Sequence, residues 1–87
     1  MNHYYHLSEI KEAHTTSRKN RHILRDSEFC GCFHCLDIFD YKNIEFWCDD
    51  EDTALCPTCD IDSVIGSAAG FPITQEFLKA MQDYWFN

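Results

Sequence analysis

Two short cysteine pairs, Cys32-Phe-His-Cys35 and Cys56-Pro-Thr-Cys59, carry the most specific chemistry in this chain. A two-residue gap lets both sulfurs of a pair reach one ion from a single turn, and two pairs supply the four thiolates of a tetrahedral structural zinc site. The expected ligands are therefore Cys32, Cys35, Cys56 and Cys59, with zinc as the cofactor. Cys30 lies two residues before Cys32 and competes for the same knuckle, which makes it the alternative ligand; His34 is a weaker substitute. Cys48, beside Trp47, reads as a buried thiol.

Other chemistries are weaker fits. Four thiolates and a Cys-Pro-x-Cys pair also suit iron in a rubredoxin-like site, but Leu36 and Asp60 stand where glycine is expected there. A redox dithiol at Cys56 and Cys59 needs a surrounding pattern of alternating strands and helices, and that pattern is missing. An HNH-type nuclease needs a histidine general base on its hairpin and further metal-binding side chains on the next helix. The chain has no histidine after His34, so no catalytic residue is assigned. His3, His6, His14 and His22 read as surface histidines rather than as a second metal site. Asp49-Asp-Glu-Asp52 reads as a solvated turn.

With 87 residues and six cysteines, the chain is near the size at which one hydrophobic core needs a staple. Disulfides are the alternative to a metal. The first residues show no export signal, however, and reduced thiols in a cytoplasmic setting favour metal. No apolar run is long enough to span a membrane. The net charge of -8 is unevenly placed. Residues 1–25 carry Lys11, Arg18, Lys19, Arg21 and Arg25 against two acids, net +3, whereas residues 26–87 carry two lysines against thirteen acids, net -11. This divides the chain into a basic N-terminal helical arm, 1–25, and an acidic zinc-binding domain, 26–87. The acidic part repels phosphate, so any nucleic-acid contact falls to the five basic residues of the arm.

The elements that must position the cysteines follow from pattern. Leu7, Ile10, His14, Ser17, Arg21 and Leu24 recur at helical steps, which predicts a helix over 8–24 with Ser8 as N-cap. Gly31 is read as the residue that allows the tight backbone of the first knuckle. Ile44–Cys48 and Thr53–Leu55 predict a β-hairpin around the acidic turn. Pro57 at a first helical position, with Ile61, Val64 and Ile65 as the apolar face and Gly66 as the stop, predicts a helix that starts at the second pair. Thr74 is the expected N-cap of a last helix with Phe77, Leu78, Met81, Tyr84 and Trp85 on its apolar stripe, and Tyr84-Trp-Phe86 is read as core. Knuckle, hairpin and helix in that order give a small α+β domain of treble-clef type with N-terminal and C-terminal helices; a zinc ribbon is the competing architecture.

Phe29-Cys-Gly-Cys-Phe-His-Cys35, Thr53-Ala-Leu-Cys-Pro-Thr-Cys-Asp-Ile-Asp-Ser-Val-Ile-Gly66 and Phe71-Pro-Ile-Thr74 together resemble the pattern of a group of small bacterial cytoplasmic proteins without an established activity. The resemblance covers residues 29–86, and Asp60 departs from the glycine expected in that group. It implies a bacterial or phage cytoplasmic setting and a zinc motif. The expected function is a non-enzymatic zinc module that binds a protein partner. The alternatives are nucleic-acid binding through the arm and a divergent nuclease.

Overall fold

The computed structural model describes residues 5–86, so His3 lies outside the described residues. The chain forms helices α1 (Leu7–Thr15) and α2 (Arg21–Arg25), then strands β1 (Cys30–Cys32), β2 (Ile38–Phe39), β3 (Trp47–Cys48), β4 (Thr53–Ala54) and β5 (Val64–Gly66), and finally helix α3 (Gln75–Trp85). β1 is the centre of an antiparallel sheet of order β2-β1-β5, and β3 and β4 pair as the expected hairpin. The architecture is a small α+β fold.

The central sheet separates two apolar clusters because successive strand residues point to opposite faces. Gly31 pairs with Ile65 in register, and on that face Ile65, Phe33, Phe77, Leu78 and Met81 pack with Ile10 and Ala13 of α1. On the other face Cys30, Cys32 and Val64 pack with Leu24 of α2, Ala54 and Cys56. Gly31 serves this packing rather than the knuckle. A Cβ there would stand 2.9 Å from both Ile73 Cγ2 and Leu78 Cδ1, so its missing side chain lets α3 settle on the sheet. The N-cap of α3 forms as predicted, with the Thr74 hydroxyl accepting from the Phe77 N–H at 3.2 Å. Tyr84 and Phe86, however, are 42% and 46% exposed, so the C-terminal aromatics are core only in part.

Two predicted helices differ. The single helix over 8–24 is broken after Thr15, and Ser8 lies within α1, whose N-cap is His6. Thr15, Thr16 and Ser17 each donate a hydroxyl to the carbonyl three residues back, the competition with helix propagation that short hydroxyl side chains offer. Lys19 then turns into a left-handed conformation, and α2 begins after Asn20. The helix predicted after Pro57 does not form. Asp60 has a φ of +64°, which ends the turn, and the β-branched pair Val64-Ile65 joins β1 as a strand, where such side chains pack well. The treble-clef arrangement therefore lacks its helix among the described residues.

Asn20 is the joint at which the N-terminal segment meets the rest. Its backbone N–H donates to the Asp52 carbonyl at 2.8 Å. Its fully buried side chain donates to the Thr16 and Val64 carbonyls at 2.8 and 2.9 Å and accepts from the Ala54 N–H at 3.5 Å. Asn20→Ala leaves these buried groups unpaired, and a loss of about 3 kcal/mol is expected, measured by urea unfolding of the metal-loaded protein.

Candidate metal centre

The two cysteine pairs sit on turns built alike. In the first, the Cys32 N–H donates to the Asp37 carbonyl at 2.9 Å and the Leu36 N–H returns to the Cys32 carbonyl at 2.8 Å. In the second, the Cys56 N–H donates to the Ile61 carbonyl at 3.0 Å and the Asp60 N–H to the Cys56 carbonyl at 2.9 Å. The residue after each second cysteine is left-handed, with φ of +69° at Leu36 and +64° at Asp60. Both positions thus take the backbone that glycine favours, so the absence of glycine there no longer separates this site from a rubredoxin-like one. The Thr58 hydroxyl donates to the Asp37 carboxylate, which ties one turn to the other.

The turns bring Cys32, Cys35, Cys56 and Cys59 together, with all four sulfurs within 4.8 Å of one another. Two pairs cross between the turns, Cys32 Sγ to Cys59 Sγ and Cys35 Sγ to Cys56 Sγ, each at 3.6 Å. A tetrahedron with metal–sulfur bonds of about 2.3 Å has edges of about 3.8 Å. The donor set therefore fits one thiophilic, tetrahedral ion, and the first cysteine of each pair is buried while the second is half-exposed. Cys30 is not part of this group. It lies on the same face of β1 but packs fully buried beside α2, its sulfur 3.9 Å from the Leu24 carbonyl oxygen.

Cys32 is the best-supported thiolate. Its sulfur lies 3.0 Å from the buried Ser63 hydroxyl and accepts from the backbone N–H groups of His34 and Cys35 at 3.3 and 3.5 Å. Burial alone raises its pKa, but donation from Ser63, from those two amides and from Cys59 outweighs this and holds it below the usual thiol value. From the backbone Cys56 accepts the Thr58 N–H, at 3.3 Å, beside its sulfur contact with Cys35. Burial pushes Cys35 up to about 11, and burial together with its sulfur neighbours pushes Cys59 up as well. Four thiols this close cannot all ionise unless a cation neutralises them. Cys30 is pushed up to about 11 by burial and by the charge of Asp40.

The remaining candidates are dispersed. The His34 imidazole packs edge-on against Phe86 at 4.7 Å, and His14 stacks on Trp85 at 4.0 Å. Among the described residues the four cysteines are the one group arranged to hold a metal, so His6, His14 and His22 form no second site with one another. Of the basic set, Arg21 is engaged within the fold: its guanidinium lies 4.3 Å above the Trp47 ring and donates to the Glu51 carbonyl at 2.7 Å. Lys11, Arg18, Lys19 and Arg25 are exposed, but the break in the helix distributes them over α1, the link and α2. Ser63 was not apparent from the sequence. Nothing in Asp-Ser-Val marks it, because it reaches the site only when β5 pairs with β1.

Two substitutions test this geometry. Ser63→Ala removes the hydroxyl from Cys32 and should weaken metal retention about tenfold, read as faster transfer of the metal to a chromogenic chelator. Asp60→Gly relieves an exposed left-handed position and should raise unfolding stability by about 1 kcal/mol, read by chemical denaturation. In comparisons with known proteins, no family model, curated protein or solved structure matches this chain, so the functional reading stands on the centre's own residues.

Proposed function

We propose that this chain is a non-enzymatic zinc module that acts by binding another protein, its four-cysteine centre fixing the fold. The observation that carries the reading is the convergence of Cys32, Cys35, Cys56 and Cys59 on two matched turns. Four thiolates complete the coordination of zinc and leave no position for water or substrate, the arrangement of structural rather than catalytic sites. The two-turn geometry supports a ribbon-like module more than a treble clef. Binding as a task is supported by exposed aromatic side chains, Phe29, Phe46, Tyr84 and Phe86, on a chain of this size. No helix among the described residues is long and apolar enough to cross a membrane.

Iron is the second reading for the metal, favoured by the left-handed residues that follow each pair. Elemental analysis of the purified protein is expected to give about one zinc per chain; a red, iron-loaded protein would overturn the choice of zinc. Chelation should unfold the domain, since structural zinc supplies about 10–16 kcal/mol of apparent binding free energy that is coupled to folding. Cys32→Ser should abolish stoichiometric metal, whereas Cys30→Ala should keep it. A metal-free chain with an unchanged circular-dichroism spectrum and melting curve would refute the structural role.

A further inference from the structure

The β3–β4 hairpin has two unlike faces. Trp47 and its partner Ala54 point to the apolar cluster that holds the cysteines, and there the Trp47 ring is covered by Tyr41, at 5.9 Å, and by the Arg21 guanidinium, at 4.3 Å. The same guanidinium reaches the acidic turn, 3.9 Å from the Glu51 carboxylate. The fold thus fills one side of its hairpin with an arginine set between an aromatic ring and an acid.

The opposite face offers related chemistry and is open at Phe46, although at its Cys48 end the buried Thr53 hydroxyl donates to the Asp49 carboxylate at 2.9 Å and accepts from the Lys19 N–H at 2.7 Å. Phe46, which alternates with Trp47 and accepts from the Leu55 N–H at 3.0 Å, is 64% exposed and packs in neither apolar cluster. Cys48 follows on the same face, and the carboxylates of Asp49 and Asp62 are close enough to push its thiol up, after burial. Asp49 and Asp62 also line a cleft of about 230 Å³ that reaches Ser63. Arg18 borders this cleft but makes no ion pair with either aspartate among the described residues. Residues 26–87 as a whole carry a net charge of -11, which favours a cation over a polyanion, with Arg18 and Lys19 as the cationic neighbours on this side.

We infer that the Phe46–Cys48 face of the hairpin, with Asp49 and Asp62 beside it, is a docking surface for an arginine-rich segment of a partner protein. This rests on the reading of the chain as a protein-binding module and names the chemistry of its partner. Arginine suits the surface better than lysine. Its planar guanidinium stacks on an aromatic ring while its N–H groups meet the backbone and side chain of an acidic residue. Arg21 does this on the Trp47 side, where it donates to the Glu51 carbonyl and lies 3.9 Å from the Glu51 carboxylate.

The test uses the full-length, metal-loaded chain and a fluorescently labelled peptide with several arginines, followed by anisotropy at two salt concentrations. Binding should weaken with salt, and it should weaken about fivefold in Phe46→Ala and in Asp62→Asn. It should also be lost when the arginines of the peptide are replaced by glutamine. Both positions are surface sites, and an unchanged melting curve confirms each variant as folded. Equal binding by wild type and Phe46→Ala would reduce the effect to unspecific charge attraction and overturn the proposal. Tighter binding of a single-stranded oligonucleotide than of the peptide would overturn it as well. A protein that holds its metal but ignores the peptide refutes the docking surface and leaves the zinc centre standing, whereas a protein without metal refutes the centre.

Discussion

The mutual proximity of four sulfurs is the constraint on which the rest of the molecule depends. Groups that repel one another when ionised are held at 3.6 Å across the two turns, and a cation that draws all four together converts this conflict into the strongest cross-link available to a small domain. The surrounding structure serves that convergence. The sheet fixes Cys32 at the end of β1, the hairpin delivers Cys56 two residues after β4, and β5 returns to β1 with Ser63 placed against the Cys32 sulfur. The two turns share their backbone hydrogen bonds but not their side-chain support. The hydroxyl falls to Cys32 alone, so the centre has one firmly held thiolate and a more exposed edge at Cys35 and Cys59.

A second dependence runs through the N-terminal segment. Its positive charge suggests a detachable arm, yet its apolar residues are divided between the two faces of the sheet: Ile10 and Ala13 under α3, Leu24 against Cys30 and Val64. The division is made at Asn20, which exchanges hydrogen bonds with the carbonyl before the break, with the hairpin and with β5. A buried amide with three partners specifies one arrangement of these elements more sharply than apolar packing can, because each unmade bond carries a desolvation cost. The basic side chains of the segment are in turn separated by the fold, and Arg21 is committed to Trp47 and Glu51.

The local features that depend on residue type and spacing were legible in the sequence. The cysteine pairs, the hairpin around an acidic turn, and the Thr74-capped last helix are each set by interactions within a few residues, and all three are present. The failures have a common origin in partners that sequence order does not reveal. Ile61, Val64 and Ile65 satisfy a helical period, but pairing with β1 makes the last two a strand. The hydroxyl run Thr15-Thr16-Ser17 signals a weak helix and becomes a break only because Asn20 gains partners more than thirty residues away. Gly31, next to a cysteine, invites a role in the knuckle; its use is to admit Leu78 from the opposite end of the chain.

The centre also shapes the electrostatics of the surface. Four thiolates around a divalent ion carry a net charge of about -2, which adds to the excess of acids in residues 26–87 rather than offsetting it. Asp37 and Asp40 flank the first turn, Asp60 and Asp62 the second, and Asp49 to Asp52 close the hairpin between them. Among the described residues only Glu51 of that hairpin turn meets a cationic side chain in an ion pair, and it does so by way of Arg21. Such a field discourages approach of a nucleic-acid backbone from the metal side, so any phosphate contact is confined to the exposed cations of the N-terminal segment. Under the proposed docking of an arginine-rich segment, the exposed ring of Phe46 would be the one place at which attraction to this field becomes a defined contact.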